Sequence, residues 1–106
     1  MDSELDLVSM SIIANSGDAR SYAFGELEAA KSGDFAKAKE LMQQSKQSAT
    51  LAHKAQTDLL FKEANGEKSD VNVLLVHSQD HLMTSLLAQE LIQEMITMYQ
   101  TFKEGK

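Results

Sequence analysis

No proline interrupts the 106 residues of this chain. Average usage is about 5%, and sheet and loop proteins place proline in their turns. A proline-free chain can stay helical over long stretches, because nothing removes a backbone donor or clashes with the preceding turn. Only two places read as breaks. In Lys31-Ser32-Gly33-Asp34, Gly33 suits a left-handed helix C-cap and Asp34 can cap the next helix. In Asn65-Gly66-Glu67-Lys68-Ser69-Asp70, Asn-Gly marks a turn, and Ser69 or Asp70 can cap a third helix. The stretches between are rich in Ala, Leu, Lys, Glu, Gln and Met, which are good helix formers. The pattern predicts helices from Glu4 to Lys31, Phe35 to Ala64 and Val71 to Phe102. Short connections force antiparallel neighbours. The expected fold is all-α, an up-down-up three-helix bundle forming one domain over residues 1–106.

Composition removes several classes of function. There is no cysteine, hence no disulfide scaffold, thiolate nucleophile or Cys-ligated zinc. Lys and Arg number 10 against 16 Asp and Glu, a net charge of −6, where a nucleic-acid binder needs a basic stripe. Met1 to Asp6 is acidic and matches neither a signal nor a transit peptide. No apolar run approaches the ~18 residues of a membrane helix. No membrane insertion and a cytoplasmic location are the expectations.

The third helix is too apolar for a lone bundle. Val73, His77, Asp80, Thr84, Leu87, Leu91 and Met98 follow the three-four rhythm of a packing seam. Leu75, Leu82 and Leu86 lie opposite, and Leu74, Val76, Met83, Ile92 and Tyr99 fill the flanks. A surface helix has one apolar stripe. The expectation is that the third helix is central, packing on its own hairpin and on copies of itself, since most soluble oligomers are symmetric homo-oligomers.

Polar residues inside that seam carry the main signal. His77, Asp80 and Thr84 stand where the rhythm asks for Leu or Ile. Symmetry would bring copies of Asp80 together, and like charges at short range raise a pKa or recruit a cation. Such carboxylates would form a hard-oxygen site suited to Mg2+. The alternative is that Asp80 faces water or pairs with Arg20. Gly17 and Gly25 fall inside the first helix and mark a bend, a close helix approach, or room for a ligand near Asp18 to Arg20.

His77 and His81 are four residues apart and project from adjacent turns. Three readings compete. A zinc site of the metalloprotease type needs a glutamate directly after the first histidine, and Ser78 stands there. Two core histidines could merely satisfy their hydrogen bonds. A nucleophilic imidazole could carry a phosphoryl group, and an apolar wall would protect it from water. The chain has no Gly-rich phosphate loop and no Ser-His-Asp set, so phosphoryl chemistry would have to take its phosphate from another protein.

The chain resembles the enzyme IIA component of the lactose/cellobiose (N,N'-diacetylchitobiose) class of the bacterial sugar phosphotransferase system. The resemblance is carried by Ser16-Gly17-Asp18-Ala19-Arg20-Ser21, Ala30-Lys31-Ser32-Gly33-Asp34-Phe35, Ala52-His53-Lys54-Ala55-Gln56-Thr57 and Leu74-Leu75-Val76-His77-Ser78-Gln79-Asp80-His81-Leu82-Met83-Thr84. It implies a homotrimer of nine helices. His77 matches the histidine that accepts the phosphoryl group from HPr and passes it to a cysteine of enzyme IIB, with the membrane enzyme IIC engaged indirectly. Asp80 matches the aspartate that meets its symmetry mates around a divalent metal, Mg2+ or a similar ion. His81 matches the supporting histidine of the motif. His53 and Gln56 match a family motif, where packing and supporting hydrogen bonds are expected. Ser78 stands where family members often have Ala or Gly, and Ser16 where Ala is usual. Leu74-Leu75-Val76 before the histidine follows the cellobiose-type members, which favours a β-diglucoside over lactose.

Two other classes bear comparison. One is a non-enzymatic helical interaction module with His77 and His81 in its core. The other is a histidine phosphotransfer domain of two-component signalling, opposed by the three-helix count and the lack of a His-x-Leu-Lys pattern.

Overall fold

A computed structural model describes residues 4–68 and 70–104. Three helices, α1 (Glu4–Lys31), α2 (Phe35–Ala64) and α3 (Val73–Glu104), form an antiparallel rod measuring 57 × 25 × 19 Å. The all-α, up-down-up expectation holds. None of these helices is long and apolar enough to cross a membrane.

Both helix ends at the turns use a glycine that leaves the helix left-handed. Gly33 has φ +87° and Gly66 φ +91°. At the first turn, Asp34 N donates to Ala29 O at 2.9 Å and Gly33 N to Ala30 O at 3.0 Å. At the second, Glu67 N donates to Lys62 O at 2.9 Å and Gly66 N to Glu63 O at 3.1 Å. These paired bonds satisfy the last carbonyls, which otherwise have no partner in the helix. Asp34 then reverses role. Its carboxylate accepts from Lys37 N at 3.0 Å and caps α2, which keeps the α1–α2 connection short.

The start of α3 corrects the sequence reading. The helix begins at Val73 rather than Val71 and runs to Glu104 rather than Phe102. Its cap is Asn72, whose Oδ1 accepts from Leu75 N at 2.8 Å. Asp70 does not take this role, and Ser69, the other expected cap, lies outside the described residues.

Within one chain α1 lies between the other two helices. It packs closely on both others, while α2 and α3 barely touch each other. The reason lies in residue size. Ser9, Ile12, Ser16, Ala19, Ala23, Glu26 and Ala30 form a buried three-four stripe on α1, and small side chains let backbones approach. On α3 the buried stripe is Ser78, Leu82, Ser85, Gln89, Ile92 and Ile96. This stripe runs beside the seam read from the sequence, whose members His77, Asp80, Thr84, Leu87, Leu91 and Met98 are exposed in one chain.

Two apolar clusters result. Ile12, Ala52 and Leu82 form one, and Ala23, Ala30, Ala38, Ile92 and Ile96 the other. A polar layer separates them, where Gln89 Nε2 donates to Ser45 Oγ at 2.7 Å and Ser45 Oγ to Ala19 O at 2.7 Å. One heptad beyond Ala19, Glu26 is only 2% exposed, and its Oε1 has no hydrogen-bond partner among the described residues. Burial pushes its carboxyl up to about 6, partly offset by the charge of Lys46.

Candidate functional site

Near its N-terminal end, α3 brings the chemistry-bearing residues together. Cβ positions four apart share a face, so His77 and His81 stack along one edge of α3. Their ring centroids are 5.5 Å apart with planes tilted by 33°. His77 is exposed and His81 half-buried. The half-burial of His81 has a local cause in α1. A Cβ added at Gly17 would meet His81 Nε2 at 3.7 Å, an ordinary van der Waals distance, so α1 passes beside this ring at Gly17.

Asp80 lies one turn beyond His77 and is exposed. Its carboxylate has no ion-pair partner among the described residues. Arg20 does not pair with it; the guanidinium stands 5.8 Å over the Phe24 ring. Thr84 Oγ1 donates back to Asp80 O at 2.9 Å, so that hydroxyl is used by its own helix. Among the described residues of one chain, no group of three His, Cys, Asp or Glu could hold a metal ion. Asp80 offers the hard carboxylate oxygens that Mg2+ takes, but one chain alone does not build the site.

The core-histidine reading does not hold for His77, which is exposed. A zinc site of the metalloprotease type would need a third ligand beside His77 and His81, and Ser78 stands where its glutamate would be. What remains is an accessible imidazole beside a second ring, open to a partner surface and able to act as a nucleophile.

On the opposite side of the same turns lies a hydrogen-bonded string that the sequence did not disclose. Gln56 Nε2 of α2 donates to Gln79 Oε1 at 2.6 Å. Gln79 Nε2 donates to Ser78 Oγ at 3.2 Å, and Ser78 Oγ to Leu75 O at 2.6 Å. Gln56 is therefore tied to the histidine-bearing turns, while Gln79 stands in the sequence only as one member of a motif. His53, the neighbour of Gln56 in the motif, instead lines a shallow groove with Lys46, Leu86 and Gln89.

Comparison with known proteins agrees with this geometry. Residues 7–100 match the family described as "PTS system, Lactose/Cellobiose specific IIA subunit". The N,N'-diacetylchitobiose-specific EIIA component of Escherichia coli (strain K12) is 50% identical over 100 residues, covering 94% of this chain and 86% of that protein. The crystal structure of the cellobiose-specific enzyme IIA from Bacillus anthracis superposes with a TM-score of 0.95 at 40% identity, covering 100% of this chain and 97% of that one. A IIA(Chitobiose) chain solved in complex with HPr superposes with a TM-score of 0.84 at 47% identity, covering 96% and 99%. The chain therefore belongs to the lactose/cellobiose-specific IIA family of the sugar phosphotransferase system.

Proposed function

We propose that His77 is the phosphoryl carrier. It takes the group from phospho-HPr and hands it to a cysteine of enzyme IIB, for coupled uptake and phosphorylation of a β-disaccharide through enzyme IIC. The observation that carries this reading is the exposed His77 ring stacked beside His81, in a chain of the IIA family. The relative solved with HPr supports the choice of donor. Leu74-Leu75-Val76 before His77 favours a cellobiose-type substrate over lactose.

In the first step a ring nitrogen of His77 attacks phosphorus in line, and the P–N bond of the donor histidine breaks as the new one forms. In the second, the cysteine thiolate of enzyme IIB attacks the same phosphorus and the His77 imidazole leaves. Donor and product of the first step are both phosphoramidates, so that step is close to reversible. Partner docking supplies orientation and keeps water out, which is most of what phosphoryl transfer requires. His81 orients the neighbouring ring or donates a hydrogen bond near the phosphoryl oxygens. Gln56 supports the site through Gln79.

The working unit is a homotrimer with three copies of α3 along its axis. The exposed seam supports it: Leu87, Leu91 and Met98 stand open by half or more in one chain, flanked by Val76, Met83 and Met95. So much exposed apolar surface on one helix marks an association face. Three Asp80 carboxylates would meet at the axis and hold Mg2+ or a similar ion. Its part is to offset their repulsion, and no chemical step runs through it. Partners with these roles support a cytoplasmic location.

Incubation with enzyme I, HPr and phosphoenolpyruvate should give an acid-labile, base-stable phosphate on the wild-type protein and none on His77→Ala. Persistent labelling of that variant would sink the assignment.

A further inference from the structure

Two side-chain hydrogen bonds join α2 to α3 among the described residues. One is the Gln89–Ser45 bond in the polar layer, and the other is Gln56–Gln79 at the level of the histidines. The α2 and α3 backbones come close at few places, and at the first turns of α3 the second bond is the side-chain hydrogen bond that joins them, beside the apolar packing of Leu82 with Ala52.

That bond has a direction. Leu75 O can only accept, so Ser78 Oγ uses its one hydrogen on it, at 2.6 Å. Ser78 Oγ must then meet Gln79 Nε2 as an acceptor, at 3.2 Å. This turns Gln79 Oε1 toward α2, where Gln56 Nε2 donates at 2.6 Å. Ser78 is fully buried, and a bond broken there leaves a polar group without water to replace its partner.

His77 stands on the other, exposed side of the same turn. The rotation of α3 sets where its ring points. A helix is about 10–12 Å across, so a rotation of about 20° would carry a surface group by roughly 2 Å. A misplacement of about 1 Å can cost 100-fold in rate.

We infer that Gln56, Gln79 and Ser78 form a directional relay that fixes the rotation of the His77 turn against α2, which makes Gln56 a positioning residue for phosphoryl transfer that does not touch the phosphoryl group. This rests on the reading of His77 as the carrier.

The test measures single-turnover phosphorylation over a range of phospho-HPr concentrations for wild type, Gln56→Leu, Ser78→Ala and the double variant. His77→Ala serves as the blank. Each single variant should lower the maximal rate about tenfold or more and leave half-saturation unchanged. The double variant should be no slower than the slower single, because Gln56 and Ser78 communicate only through Gln79. The imidazole 15N shifts of His77 should move in both single variants. If Gln56→Leu does not fold, Gln56→Glu carries the same test, since it keeps the size and loses the donor. Losses that multiply in the double variant, a change in half-saturation alone, or wild-type rates would overturn the relay. Failure of the wild type itself to label on His77 would instead overturn the functional reading.

Discussion

Gln89 of α3 donates to the hydroxyl of Ser45 of α2 at 2.7 Å, in the buried layer between two apolar clusters. The same hydroxyl donates to Ala19 O of α1, so one serine joins all three helices. Ser16, also fully buried, has a hydroxyl with no partner among the described residues. The two serines should respond oppositely to alanine. Ser45→Ala leaves the Gln89 amide unsatisfied and should cost about 1–3 kcal/mol. Ser16→Ala removes an unsatisfied group and should stabilise by about 1 kcal/mol. Urea unfolding of both variants measures the difference. A destabilised Ser16→Ala would reveal a partner for that hydroxyl.

Glu26 makes stability depend on pH. Its carboxyl titrates at about 6 in the fold against an ordinary 4.5. The folded chain therefore holds a proton that the unfolded chain has given up, and stability falls as pH rises from about 4.5 through 6. The loss at pH 8 is about 2 kcal/mol, from about 1.36 kcal/mol per pKa unit. Glu26→Gln removes the charge and should be the more stable protein at pH 8. Its advantage should shrink at pH 4. Parallel pH profiles of melting temperature for the two proteins would refute this.

Asp80→Leu should remove binding of Mg2+ while leaving a folded oligomer. In the proposed trimer, leucine would replace a carboxylate crowded against its own copies. Light scattering reads the assembly, and equilibrium dialysis reads the metal. Monomers with lost helicity in circular dichroism would mean that the carboxylates, with their ion, hold the assembly together.

Leu91→Glu should break the assembly and spare the protomer. The side chain is half exposed in one chain and does not belong to the buried stripe of α3. The light-scattering mass should fall from three times 11.7 kDa toward 11.7 kDa, with helicity retained. An unchanged trimer would place the association face elsewhere.

Much of the fold was legible because its punctuation is local. Gly33, Asp34 and Gly66 act within a few residues of themselves, so their types disclose their conformations. The start of α3 was less legible. Ser69, Asp70 and Asn72 are all competent caps, and only the path of the chain selects Asn72. The seams of α3 were harder still. Two three-four stripes run side by side on this helix, and each mixes polar with apolar residues. The buried stripe contains Ser78 and Ser85, because close packing against α1 rewards small size over hydrophobicity, and Gln89, whose amide is held by Ser45. The histidine pair could be read from spacing alone. The Gln56–Gln79 contact spans 23 positions and depends on how α2 and α3 are set against α1, which no local pattern encodes.

The interior of one chain is built mainly from alanine and serine, with Ile12, Leu82, Ile92 and Ile96 its larger buried apolar side chains among the described residues. Such an interior removes little hydrocarbon from water. The heat-capacity increment of unfolding scales with apolar surface exposed, so an isolated chain would melt with a small one, over a broad and shallow transition. In the proposed trimer the larger increment would belong to assembly, which would cover the leucines and methionines of α3. Calorimetry of such a trimer would read association together with folding, and its melting temperature would rise with protein concentration.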